Sequence, residues 1–152
     1  MPDNERNSTQ ALRAAREDVV RRHIEAETRR DGAGVVATFK TPRYDLVPND
    51  TVLEGADAVA QFIDYLGAAL PSHSVEIVAF HHADDAVILE TRERGVHTGP
   101  ILGIEPTGRA YDYRALGVFR FDGPDLIEEA VYGDRLSLLT QIAPELYQAP
   151  SL

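Results

Sequence analysis

Residues 109–132 read RAYDYRALGVFRFDGPDLIEEAVY. Asp122-Gly123-Pro124-Asp125 in its middle is a turn, and β-branched and aromatic residues dominate both flanks. Two antiparallel strands, about 109–121 and 126–132, are therefore predicted. The stretch before them behaves alike: Val75, Ile77 and Ala79 alternate with Glu76 and Val78, and Ala83-Asp84-Asp85 turns the chain into Val87-Ile88-Leu89. Between these hairpins, residues 95–108 hold four glycines and two prolines, which marks a bend between long strands.

The first half of the chain has a different period. Leu12, Ala15, Val19, Val20 and Ile24 recur at helical steps over about 11–30, with arginines and glutamates opposite. Carrying that stripe three residues past Ile24 reaches Glu27, a carboxylate at the end of a core-facing face. Asp31-Gly32 ends this helix and a short second one covers 33–39. A strand-like segment over 44–53 is broken by Pro48-Asn49-Asp50, and Gly55 opens a third helix with Val59, Phe62, Ile63 and Leu66 inward. Asp134 caps a last helix. Helices first and a strand meander afterwards predict an α+β domain, not a parallel α/β sheet. The chain divides into a disordered lead-in, 1–8, with Ser8 or Thr9 as first cap, a single domain, 9–143, and a tail, 144–152.

Composition limits the function. A net charge of −10, from 15 basic and 25 acidic residues, repels phosphate backbones and anionic lipid, so neither nucleic acid nor membrane is an expected partner. With no cysteine there is no disulfide, thiolate metal site or thiol nucleophile. The opening MPDNERNST lacks the apolar core of a signal peptide, so the expected compartment is the cytoplasm. His81-His82 suggests metal, but neighbours on a strand point to opposite faces, and no metal site is expected there.

Gly95-Val96-His97-Thr98-Gly99 followed by Gly103-Ile104-Glu105-Pro106-Thr107-Gly108-Arg109 resembles the "G-x-H-T-G … G-x-x-P-T-G-[KR]" signature of SnoaL-like polyketide cyclases. Val118-Phe119-Arg120-Phe121, Leu126-Ile127-Glu128, and Asp134 to Gln141-Ile142 are similar to that family's ending. Leu53-Glu54-Gly55 with Ala58-Val59 and Phe62 is similar to its third helix. The resemblance covers about residues 12–143. It implies a cone-shaped nuclear-transport-factor-2-like fold, with N-terminal helices on a curved, mainly antiparallel sheet around a pocket. It also implies homodimers across the sheet's outer face, and an aldol-type cyclisation that uses neither metal nor organic cofactor.

The family's catalytic aspartate aligns with Val131 and its partner histidine with Gly117, so neither member of that acid–base pair is present. Alternation on the two strands then turns Glu129 and residue 127 inward beside Val131, and Ala115, Tyr113 and Tyr111 inward beside Gly117. Glu129 and Glu27 are the candidate acid–base groups. In a shared apolar cavity their mutual repulsion leaves one a protonated donor and the other a base. Tyr44, Tyr111, Tyr113, Gly117, Phe119, Val131, Phe62 and His97 are the candidate substrate contacts. The rival expectation makes Glu129 a solvent-facing partner of Arg114 or Arg120, Glu27 an exposed helix-end residue and His97 a structural loop residue. Three functions follow: a cofactor-free cyclase or isomerase on a hydrophobic polyketide- or terpenoid-like molecule, a non-catalytic small-molecule carrier, or an interaction module with a filled core. A cavity with paired polar groups would favour the first.

Overall fold

The hairpin read from residues 109–132 forms the centre of the sheet. In a computed structural model describing residues 2–148 and 151, and for residues 2–4 the backbone alone, the elements run in the following order. They are α1 (Pro2–Thr28), α2 (Gly32–Thr38), β1 (Arg43–Leu46), a 3-10 turn (Val47–Asn49), β2 (Thr51–Glu54) and α3 (Ala56–Ala69), then β3 (Ser74–His82), β4 (Ala86–Val96), β5 (Ala110–Asp122), β6 (Asp125–Gly133) and α4 (Arg135–Ile142). The sheet order is β2-β1-β6-β5-β4-β3. Only β1 and β6 run parallel; the other neighbours are antiparallel. This is the expected α+β architecture.

Irregularities bend the sheet at Ile77/Ala79 and Arg120/Phe121. The second corrects the inward placement of residue 127: Phe121 pairs with Leu126 and Arg120 with Glu128, which leaves Ile127 as the extra residue. Leu126 takes the core position and Ile127 is only half-buried. Glu128, not Glu129, faces outward and pairs with Arg120 and Arg43.

Helices α1 to α3 cover the inner face, burying Val20, Ile24, Val35, Val59 and Ile63 against Val87, Leu89 and Phe119. Arg16 ties α1 to two β-turns, donating to the carbonyls of Gly123 (2.8 Å) and Asp84 (2.9 Å) while lying over Phe121. Its burial against that ring fixes the height of the helix on the sheet.

The described part of the lead-in is helical. α1 extends back to Pro2, and Ser8 and Thr9 do not cap it but return their hydroxyls to the Glu5 carbonyl. Polar residues such as Glu5, Arg6 and Gln10 are good helix formers, and an existing helix is cheap to lengthen. Asp31 caps α2 through the Gly34 amide and Asp134 caps α4 through the Ser137 amide. Among the described residues no helix is long and apolar enough to cross a membrane.

Candidate active site

A cavity of about 170 Å³ lies between α1, α3 and the inner face of β4–β6. Its walls are largely apolar, from Ile24, Phe62, Leu66, Leu89, Phe119 and Val131. An adjoining lobe of similar volume shares Phe62, Leu66, Leu70, Tyr113, Val131 and Gly133, and adds Leu46, Tyr65 and Leu102. Polar side chains reach the inner cavity at two poles.

The first pole is Glu27, Tyr44 and Glu129, with His23 buried beside them. His23 lies one helical turn before Glu27 on the stripe of α1 that points at the sheet. Parallel pairing of β1 with β6 sets Tyr44 beside Glu129. His23 is fully buried, edge-on to Phe39 and Phe119 with ring centroids 5.1 and 5.5 Å away. Its Nδ1 lies 2.7 Å from Thr38 Oγ1, whose proton is committed to the Val35 carbonyl; Nδ1 is therefore a donor. Nε2 lies 2.8 Å from the Tyr44 oxygen, 2.9 Å from Glu129 Oε2 and 3.3 Å from Glu27 Oε1. Tyr44 gives its own proton to Glu27 in a short hydrogen bond, so its oxygen accepts from Nε2–H. Both ring nitrogens then carry protons and His23 is an imidazolium.

The electrostatics agree. Burial opposes a charged His23, yet the Glu27 charge and the Glu129 contact outweigh it and push the imidazole up to about 10. Burial would raise Glu27 too, but His23, the Tyr44 hydrogen bond and Arg30 hold it below the ordinary carboxylate value. Glu129 goes the other way. Burial, then repulsion from Glu27, lift it to about 7 against the opposing pull of His23. Its Oε2 is buried and accepts no hydrogen bond of proper geometry despite its closeness to Nε2. Tyr44 is driven well above its usual value by burial and by the two carboxylates. The carboxylates thus separate into one ionised group and one that titrates near neutrality.

His23, Glu27 and Glu129 each bring a ligand atom within 4.8 Å of the others, a donor set of the kind that holds a divalent cation. The positive charge of His23 lies beside the same two carboxylates. His81 and His82, the only histidine pair suggested by the sequence, are engaged separately, by Glu90 and Glu17.

The second pole joins the candidate tyrosines Tyr111 and Tyr113 to Glu93, His73 and Thr91. Glu93 accepts from Thr91 (3.0 Å) and Tyr113 (2.9 Å) and lies 3.1 Å from His73 Nε2. His73 Nδ1 meets the Tyr111 hydroxyl at 3.0 Å. Burial raises Tyr113 well beyond its usual range and Tyr111 to about 12. Between the poles stands Arg30. Its amide bonds the Glu27 carbonyl and the Asp31 amide bonds Ala26, closing α1 in a Schellman motif with Arg30 left-handed (φ 58°) at the position usually given to glycine. A side chain in that conformation costs roughly 1–2 kcal/mol.

Glu27, Tyr44, Phe62, Tyr113, Gly117, Phe119, Glu129 and Val131 all line the cavity. Tyr111 and His97 do not. Tyr111 packs against α4 and the 101–104 loop, with its hydroxyl in the space that a Cβ on Gly95 would take. His97 is buried in the glycine-rich loop, where Nδ1 accepts from the Thr107 amide at 3.2 Å and lies 3.0 Å from its hydroxyl. Gly99 in the same motif backs onto the Ala68 carbonyl with no room for a Cβ. That signature therefore carries architecture. Gly117 pairs with Val131 across β5 and β6, and a Cβ on it would come 2.9 Å from the Phe119 ring and 3.3 Å from Glu129 Oε1. The missed residues are His23, Arg30, His73, Thr91 and Glu93. His23 had a signal, since it sits four residues before Glu27 on one helical face. The others had none in the local pattern.

A family model described as SnoaL-like polyketide cyclase matches residues 5–142. A solved structure from Jannaschia sp. CCS1, assigned by name to the SnoaL-like polyketide cyclases, is 24% identical, with a TM-score of 0.74 over 90% of this chain and 94% of that one. AclR of Streptomyces galilaeus, provisionally named a hydroxylase, is 21% identical, with a TM-score of 0.72 over 91% and 85%. A protein of Catenulispora acidiphila with a ketosteroid isomerase-like fold, solved with trimethylamine, is 17% identical, with a TM-score of 0.71 over 82% and 91%. At these identities the structural likeness establishes the fold alone. No curated protein is detectably similar in sequence.

Proposed function

The chain belongs to the SnoaL-like polyketide cyclase family, and from that premise we propose that it is an acid–base enzyme of cyclase or isomerase type. Its substrate is a small hydrophobic molecule, polyketide- or terpenoid-like, and its own side chains carry the chemistry in place of the family's aspartate–histidine pair. The observation that supports this most is Glu129: buried, facing the cavity, without a hydrogen bond to Oε2, and lifted to about 7. A base poised near the working pH combines availability with driving force. As a carboxylate, Glu129 takes a C–H proton next to a carbonyl; the C–H electron pair passes to the carbonyl oxygen. In an isomerisation the resulting carboxylic acid returns the proton to another carbon; in a cyclisation the enolate carbon bonds to a second carbonyl carbon, whose π pair moves to its oxygen and takes the proton, so atoms and charge balance. Glu27 acts as the fixed anion that keeps His23 charged, and Tyr44 is its committed donor.

A cavity of 170 Å³ is close to the roughly 150 Å³ that accepts benzene in an engineered apolar site, so the inner lobe suits one ring. Phenylacetone is a matching probe. Its α-protons should exchange in D2O faster with the protein than in buffer, with a rate that climbs through about pH 7 and then levels, read by proton NMR. Bound ketone that exchanges at the buffer rate at every pH would discard the catalytic reading. The carrier reading would then stand, favoured by the untitratable Gly117 and Val131. Homodimerisation across the sheet's outer face belongs to the same proposal, and sedimentation at two concentrations tests it.

A further inference from the structure

We propose that Arg30 is the carbonyl anchor of this cavity, a binding residue that selects a ring-sized molecule with a neutral acceptor oxygen. The inference rests on the cavity being the substrate site. Four observations carry it. Arg30 occupies, with φ 58°, a helix-terminating position that glycine would fill without strain, and strained residues of this kind gather at functional sites. Its guanidinium is pinned from behind, Nη2 donating to the Leu70 carbonyl at 3.0 Å and Nη1 to the Glu27 carbonyl at 3.4 Å. Gly67 makes room for the stem, since a Cβ there would come 3.3 Å from Arg30 Cγ. Finally, Arg30 lines the cavity and its Nε is buried with no hydrogen-bond partner.

The remaining polar groups narrow the choice. Tyr44 is committed to Glu27, Tyr113 and Thr91 to Glu93, and His23 to Thr38 and Tyr44. The Nε–H of Arg30 is buried with no partner, and a buried donor strongly favours a ligand that supplies an acceptor. Glu27, Glu93 and Glu129 share the lining, so a full carboxylate meets repulsion that a neutral carbonyl escapes. With the carbonyl held at Arg30, charge that develops on its oxygen faces a preorganised cation.

Three probes with the same number of heavy atoms separate the possibilities: phenylacetone, isobutylbenzene and phenylacetate. Their affinities are measured by NMR titration at pH 8 against wild type, Arg30→Met and Arg30→Gly. The glycine variant suits the left-handed position, so it stays folded even where the methionine variant does not. Removal of the guanidinium should weaken phenylacetone about tenfold relative to isobutylbenzene, the scale of one charge-assisted hydrogen bond. Phenylacetate should bind wild type more weakly than the ketone. Parallel changes in ketone and hydrocarbon, or phenylacetate binding tightest, would overturn the proposal. Deuterium exchange separates the two readings. If Arg30 variants keep ketone selectivity while Glu129→Gln loses exchange, the anchor alone is wrong. If the ketone depends on Arg30 but wild type never exchanges its protons, the catalytic reading alone is wrong.

Discussion

At one end of the cavity Glu93 accepts hydrogen bonds from Thr91 and Tyr113, with His73 Nε2 alongside. At the other, Oε2 of Glu129 lies 2.9 Å from His23 Nε2 without a hydrogen bond of proper geometry. Both poles combine a histidine, glutamate and tyrosine, and both border the same apolar space. The residue types overlap, but the first pole holds a second glutamate and the carboxylates differ in how their donors are placed. A carboxylate with its donors in place is a brace that holds its neighbours, whereas one facing an apolar cavity beside a second carboxylate is poised to take or give a proton. The histidines differ likewise. His23 stands between two carboxylates, Glu27 and Glu129, while His73 faces one carboxylate and a tyrosine hydroxyl.

The contrast breaks most sharply in paired substitutions. Glu129→Gln should lower exchange of the probe ketone by about 10²–10⁴-fold, the usual worth of a general base, while Glu93→Gln should lower it only a few-fold. Equal losses in the NMR exchange assay would erase the distinction between the poles. Next in size, His23→Gln removes the cation between two carboxylates and should destabilise the fold by about 3–5 kcal/mol, seen by urea unfolding.

The pH dependence of stability follows from the same pole. His23, raised from 6.5 to about 10, contributes stability that is complete below 6.5 and lost as pH rises through the folded value. Glu129, raised from 4.5 to about 7, binds its proton more tightly when folded, so it too removes stability as pH rises across that interval. Glu27, held low, contributes above 4.5 and loses its contribution on acidification. Stability from this pole should therefore peak near pH 5 and fall toward pH 10, each unit of pKa shift being worth about 1.4 kcal/mol. Tm scans should show that acidic maximum, and His23→Gln should flatten the alkaline side.

Smaller effects sharpen the picture. Gly117→Ala pushes on the Phe119 ring beside Glu129 and should cost about 1–3 kcal/mol by overpacking. Tyr113→Phe removes one hydrogen bond to Glu93, worth about 0.5–1.5 kcal/mol, and should leave the exchange pH profile in place.

Much of the framework is legible from local pattern. Period-2 alternation around the Asp122–Asp125 turn placed β5 and β6, and, once the resemblance set Val131 at the pocket, it made Glu129 an inward candidate. The 3.6-residue stripe of α1 pointed Glu27 at the sheet, and Asp134 announced α4 as a cap. These succeed because the direction of a side chain follows from its own helix or strand. Local pattern failed where pairing intervened, as at Ile127, whose inward place the bulge handed to Leu126. Four glycines and two prolines marked the loop at 95–108, and of the two readings of His97 the structural one fits its hydrogen bonds to Thr107.

The sequence by itself determined the α+β order and the family, and it named Glu27 and Glu129 as candidates while leaving a solvent-facing reading of each open. Tertiary structure alone decided what those carboxylates meet. His23, Glu27, Tyr44 and Glu129 come from α1, β1 and β6, and whether a buried oxygen has a donor depends on atoms brought together across the whole chain. The ionised state of Glu27, the near-neutral titration of Glu129 and the spare donor of Arg30 are all consequences of that counting, which periodicity does not contain.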